Sequence, residues 1–180
     1  KSNPHLIKKR KVARVTPKKQ APELLFEKME EVLVGESCKV KMIKEEELTK
    51  ARVAWGDGII AISKAYEEQG IQKATATANL ILDNLYGFDF GPILFKPTLS
   101  GGYQTFRSNK EGALSYFIGN NSKFPSDNGF GIKFWRKIES ETSSIFINEN
   151  VAMWMGWVTL TDKDGEIVKV DKSWGYKKAT

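Results

Sequence analysis

Thr98 and Tyr116 are two hydroxyl-bearing side chains whose local sequence could present them to a small molecule. Gly91-Pro92-Ile93-Leu94-Phe95-Lys96-Pro97-Thr98 reads as a short apolar strand that stops at a proline and presents the threonine. A Gly101-Gly102 turn follows, and then Ser108 with Glu111 three residues on, a capping-box spacing that predicts a helix carrying Tyr116 within Glu111-Gly112-Ala113-Leu114-Ser115-Tyr116-Phe117. Two hydroxyls on separate elements, each in apolar sequence, are the makings of a small and mostly dry pocket with a few polar points. A strand-capping threonine and an ordinary core tyrosine would leave the same residues in the sequence, so both readings stand on these residues alone.

The rare residues narrow the chemistry further. His5 is the one histidine and Cys38 the one cysteine. Three protein ligands drawn mainly from His and Cys, as a catalytic zinc requires, cannot be assembled from them. Ser–His and Cys–His nucleophilic pairs fail on the same count, and an intramolecular disulfide is impossible. No phosphate-cradling loop or dinucleotide fingerprint is present. A carboxylate-bound Mg²⁺ or Mn²⁺ on Asp57, Asp83 or Asp89 stays open but gains nothing from their spacing.

The elements that must hold the two hydroxyls follow from periodicity. Leu48, Ala51, Trp55, Ile59, Ile62 and Tyr66 recur at helical spacing over Glu45–Gln69, with acidic residues at the start and Gly70 as the stop. Ile71, Ala74, Ala78, Ile81 and Leu85 form the inward stripe of a second helix ending before Gly87. Gly56 and Gly58 inside the long helix imply close packing of another element, with Asp57 between them as a polar residue that could line a cavity. A shorter helix is expected over Pro22–Leu33, opened by Pro22 and ended by Gly35. The C-terminal half reads as four antiparallel strands, Gly131–Glu141, Ser143–Asn148, Val151–Asp162 and Glu166–Lys178, with Asp164-Gly165 as a two-residue hairpin turn. In Val151–Asp162 both faces are apolar, Val151, Met153, Met155 and Trp157 on one and Ala152, Trp154, Val158 and Leu160 on the other. Helices packed on the concave face of a curved antiparallel sheet make an α+β fold. The second apolar face calls for a cover, either a second copy in a homodimer or the helix around Leu25–Leu33.

Charge bounds the partners. Residues 1–20 hold eight of the 28 basic side chains and no acid, so the rest carries 20 Lys and Arg against 22 Asp and Glu. The +6 net charge therefore belongs to a tail, expected to be disordered, and a domain over 21–180 has no basic surface to attract nucleic acid. No apolar run approaches the ~20 residues of a membrane span, so no membrane insertion is expected. The absence of a hydrophobic secretory signal and the Arg/Lys-rich, acid-free start favour a plastid or the cytoplasm over secretion.

Ala54-Trp55-Gly56-Asp57-Gly58-Ile59-Ile60-Ala61-Ile62, Leu85-Tyr86-Gly87-Phe88-Asp89, Leu94-Phe95-Lys96-Pro97-Thr98 and Gly112-Ala113-Leu114-Ser115-Tyr116-Phe117, in that order, resemble the iota-class carbonic anhydrases. The resemblance runs from about Glu45 to Tyr176 and implies the NTF2-like (SnoaL-like) α+β cone, a homodimer and reversible hydration of carbon dioxide to bicarbonate without a metal or other cofactor. It names Thr98 and Tyr116 as the pocket hydroxyls. Trp55, Phe95, Trp135 and Met153 are the expected substrate-binding lining of such a cone. The family also implies a further strand with a His-His-Ser-Ser segment whose serine joins the pocket. The sequence ends at Lys177-Lys178-Ala179-Thr180, where that strand is expected to begin, and contains no such segment. The competing function on the same cone is a non-catalytic small-molecule-binding or oligomerisation module.

Overall fold

Glu45, Glu46 and Glu47 complement the start of a helical run, α1 (Glu45–Leu85), and Gly70 divides it. At φ 78° and ψ −172° this glycine breaks the hydrogen-bond ladder in a conformation that costs a side-chain-bearing residue dearly, so the run is two helical arms about one kink. The computed structural model describes residues 41–178, Gly101 excepted. The basic tail, the expected helix Pro22–Leu33, His5 and Cys38 lie outside the described residues.

The first arm buries its expected stripe, with Leu48, Trp55, Ile59 and Ile62 in the core. Arg52 is buried on the same arm, its guanidinium 4.9 Å from the Trp154 ring centroid. In the second arm Ala74, Ala78 and Leu82 are fully buried, while Ile71 and Leu85, expected inside, are partly exposed. The two glycines of the first arm admit different neighbours. A Cβ at Gly56 would sit 3.3 Å from Ile138 of the sheet, and one at Gly58 would sit 2.9 Å from Ile81 of the second arm. Asp57 between them faces solvent, so it lines no cavity.

Three strands, not four, form the sheet: β1 (Trp135–Asn148), β2 (Val151–Asp162) and β3 (Ile167–Lys177), antiparallel in the order β1-β2-β3. The two strands expected on either side of Thr142 are one 14-residue strand with a bulge, where pairing slips between Thr142↔Gly156 and Ser144↔Met155. Residues 131–134 fall outside it because Phe130–Ile132 make a 3₁₀ turn and Phe134 takes φ 57°. Ser63 of α1 fixes that entry, donating to Gly131 O (2.7 Å) and accepting from the Trp135 N–H (2.9 Å).

The turns differ from expectation as well. Glu149 and Asn150 form the two-residue connection, with Glu149 at φ 54°. At Asp164-Gly165 the loop is longer, because Asp162 N donates to Glu166 O and the Asp162 carboxylate accepts from both Asp164 N and Glu166 N.

Along β2 burial alternates strictly. Ala152, Trp154, Val158 and Leu160 lie against the helices, while Val151, Met153, Met155 and Trp157 face outward. The core therefore sits between α1 and one face of a curved sheet, the α+β arrangement expected from the sequence.

Candidate functional site

Pro92–Pro97 is extended but is no sheet strand. It borrows two backbone bonds from the returning chain, Ile93 N to Ser108 O (3.3 Å) and Arg107 N to Phe95 O (2.7 Å). Its side chains alternate, with Leu94 fully exposed and Phe95 turned inward. It ends in a turn closed by Ser100 N to Pro97 O at 3.1 Å and reinforced by the Ser100 hydroxyl, which bonds Pro97 O and Thr105 O. Thr98 occupies the second position of that turn.

Tyr116 arrives on α2 (Lys110–Ile118), a nine-residue helix with six buried residues. Its N-cap is Asn109, whose side chain accepts from Gly112 N at 2.9 Å, and not Ser108 as the spacing implied. Glu111, the other half of the expected box, pairs with Lys123 instead. Gly119 at φ 72° ends the helix.

The turn and the helix meet at the phenol. Leu99 and Ser100, which follow Thr98 in the turn, line one cavity with Tyr116. Phe130 stacks on the Tyr116 ring at 5.3 Å and Phe95 meets it edge-on at 5.9 Å. Burial pushes the phenol up to about 12, the Leu99 N–H and the Arg107 guanidinium only partly opposing the push, so Tyr116 is neutral at physiological pH. Beside it lies a cavity of about 90 Å³ lined by Leu99, Ser100, Tyr116, Asp127, Phe130 and Lys133, among others. That exceeds the ~10–15 Å³ holding one water several-fold and suits a molecule of three or four heavy atoms.

Two polar constructions support this wall, and neither was visible in the sequence. Beneath the cavity, Arg107 Nη2 bonds Asp127 Oδ1 at 2.8 Å and Ser115 Oγ donates to Asp127 Oδ2 at 2.7 Å, all three side chains being buried. On the other side, Lys172 of β3 donates from Nζ to Thr98 Oγ1 at 2.9 Å, with the Trp55 ring centroid 5.6 Å from the ammonium. Burial lowers Lys172 to about 8. A lysine on a strand between Asp171 and Ser173 looks like any solvated edge residue, and only the register that turns it inward, opposite Gly156, distinguishes it.

The expected lining divides. Trp55 packs on Trp174 (5.0 Å) and donates from Nε1 to the Tyr86 hydroxyl at 3.0 Å, while Tyr86 meets Phe95 edge-on at 5.7 Å. Trp55, Phe95, Thr98 and Tyr116 are thus joined through Lys172 and Tyr86. Trp135 reaches this aromatic run as a support, its ring 5.7 Å from Phe130 and its Nε1 donating to Phe130 O at 2.7 Å. Met153 is corrected. It is 55% exposed on the outer face of the sheet, because odd-numbered residues of β2 point away from the helices. Among the described residues no three His, Cys, Asp or Glu side chains group as a metal site would need, and Asp83 is paired with Lys110.

Residues 46–180 match the family model described as metal-independent carbonic anhydrase. The chain belongs to that family. The metal-independent carbonic anhydrase of Nostoc sp. is 45% identical over 138 residues, which is 77% of this chain and 67% of the relative. The crystal structure of a cyanobacterial iota-carbonic anhydrase complexed with bicarbonate superposes with a TM-score of 0.76 at 43% identity, over 80% of this chain and 88% of that one. The family match spans Trp55, Thr98, Tyr116 and Lys172, so every part of the hydroxyl wall falls inside the carbonic anhydrase region.

Proposed function

We propose that the Thr98–Tyr116 wall is where this chain carries out the carbonic anhydrase reaction, the reversible hydration of carbon dioxide to bicarbonate. One observation supports the assignment of place: Leu99 and Ser100, which follow Thr98 in the Pro97–Ser100 turn, line the same cavity as Tyr116. Hydration forms one carbon–oxygen bond from water, moves a C=O π pair onto oxygen, and releases the water proton to solvent. Negative charge grows on the carbon dioxide oxygens, and fixed hydroxyl donors in apolar surroundings stabilise it more than water does. Tyr116, held neutral, serves as such a donor and not as a base. Phe95, Phe130 and Trp55 supply the apolar side that an uncharged, linear substrate needs.

Stopped-flow hydration with a pH indicator, on the full-length protein, tests the assignment. Thr98→Val and Tyr116→Phe should each lower the rate at least ~10-fold, the scale on which one transition-state hydrogen bond acts. Wild-type activity in both variants would remove these residues from the site.

The helix-on-sheet arrangement supports reading the fold as an NTF2-like cone. For assembly, the outer face of the sheet supports a homodimer: Phe146, Val151, Met153, Met155 and Trp157 are each 44% exposed or more and lie side by side in register.

A further inference from the structure

Lys172 is the half-buried cation that the reaction, as described so far, leaves unused. Its Nζ lies 2.9 Å from Thr98 Oγ1, and among the described residues it forms no ion pair with a carboxylate. The ionisable groups whose charge acts on it are Asp171 on its own strand and Lys96 on the segment leading to Thr98. From α1 it meets the Trp55 ring, and on β2 the residue opposite it is Gly156, neither of which titrates. A charge held this way is unfavourable unless something uses it. An ammonium has three donors and no acceptor, so the Thr98 oxygen must accept from it. The hydroxyl hydrogen of Thr98 is then left to point elsewhere.

We propose that Lys172 is a positioning residue for the reaction: it fixes the Thr98 hydroxyl as a donor toward the substrate and supplies the positive charge that retains bicarbonate. The proposal rests on the Thr98–Tyr116 assignment. Carbon dioxide is uncharged and bicarbonate is an anion, so a cation behind the threonine distinguishes the two and strengthens the threonine's own donation by polarising its oxygen. The same arrangement explains why a threonine rather than a charged group faces the substrate. The charge is transmitted through a neutral hydroxyl, which leaves the pocket hospitable to an apolar gas.

The test measures bicarbonate affinity by ¹³C NMR line broadening and hydration rate by stopped flow, in the full-length wild type, Lys172→Met and Lys172→Arg, at neutral and alkaline pH. Wild-type bicarbonate affinity is expected to fall as pH rises through about 8, where the ammonium loses its proton. Lys172→Met should weaken bicarbonate ~10- to 100-fold at neutral pH, the range for losing a charge-assisted hydrogen bond, and abolish that pH step. Lys172→Arg, always charged, should restore affinity in part and move the step out of the range. A Lys172→Met protein with wild-type affinity, rate and pH profile overturns the proposal while leaving the Thr98–Tyr116 assignment standing. A wild type that neither binds bicarbonate nor hydrates carbon dioxide overturns both. If circular dichroism shows Lys172→Met unfolded, Lys172→Arg decides, and an unmoved pH step refutes the role.

Discussion

Asp127→Ala is the substitution on which the architecture of the cavity wall can be judged most sharply. Arg107 is 1% exposed and Asp127 4%, and of the three guanidinium nitrogens only Nη2 has a protein partner, the others being buried without one. Removing the carboxylate strands the cation and orphans the Ser115 hydroxyl that donates to Asp127 Oδ2. Breaking a buried pair from one side costs about 3–5 kcal/mol, and the stranded hydroxyl adds about 1 kcal/mol. For a domain of this size each kcal/mol moves the midpoint by roughly 3–5 °C, so Asp127→Ala should melt about 12–30 °C below wild type. Asp127→Asn keeps the shape and one acceptor and should lose about half as much. Replacing both partners, Arg107→Met with Asp127→Ala, should recover much of the loss, since the stranded charge is gone and the methionine can keep packing on the Phe124 ring, which lies 4.6 Å from the guanidinium. Differential scanning calorimetry on wild type, Arg107→Met, Asp127→Ala and the double variant completes the cycle. An Asp127→Ala protein within about 1 kcal/mol of wild type, or a double variant as unstable as the two single losses added, would refute the reasoning that a desolvated charge governs this wall.

Alkaline titration followed by circular dichroism should show stability falling as pH rises from about 10.5 toward 12, after the gain that deprotonation of Lys172 gives between about 8 and 10.5. Burial raises Tyr116, Tyr86 and Tyr176, so the unfolded chain ionises first and draws the equilibrium; a flat profile through that window would contradict their burial. Light scattering at micromolar concentration should give twice the 20.3 kDa of one chain, and Trp157→Glu should halve it, whereas a monomeric wild type would exclude the dimer. Trp157 is the right probe because Trp154, 1% exposed on the inner face, would unfold the protein when charged. Gly156→Ala should cost at least about 2 kcal/mol, because a Cβ there would collide with Glu141 O of the backbone and with the Trp154 ring. A chemical-denaturation midpoint equal to wild type would mean that the bulge yields easily.

The helices were legible because the stripe from Leu48 to Tyr66 repeats often enough to average over single residues, and because Gly70 is an unambiguous break. The sheet was legible in content but not in punctuation. Bulges and loops depend on cross-strand geometry, so one continuous β1 read as two strands, and Asp164-Gly165 outranked the real two-residue turn at Glu149-Asn150. The cap of α2 failed for a related reason: Ser108 and Asn109 are both good caps, and backbone pairing of Ser108 O with Ile93 N decides between them. Met153 was misplaced because β2 is apolar on both faces, so alternation gives the two sets without saying which is inside. Thr98 and Tyr116 were named through a family resemblance, and the charged residues beside them were not, because Arg107, Asp127 and Lys172 carry side chains that sequence reasoning assigns to solvent.

Those three residues share a physical logic. Each is a charged group that burial penalises, and each lies beside one of the two hydroxyls: Lys172 on Thr98, Asp127 and Arg107 near Tyr116. The fall of Lys172 from 10.5 to about 8 corresponds to about 3 kcal/mol of preference for the neutral amine, at 1.36 kcal/mol for each pKa unit. The sign is unfavourable at neutral pH: the native state holds the ammonium against its preference, and it regains that stability only as pH rises from about 8 to 10.5. A methionine at this position would avoid the cost and could pack against Trp55. A fold selected for stability alone has no use for the ammonium, whereas a pocket that must admit a neutral gas and hold an anion without a metal has to take its positive charge from somewhere. On the proposed assignment that charge is Lys172, held on the Thr98 hydroxyl.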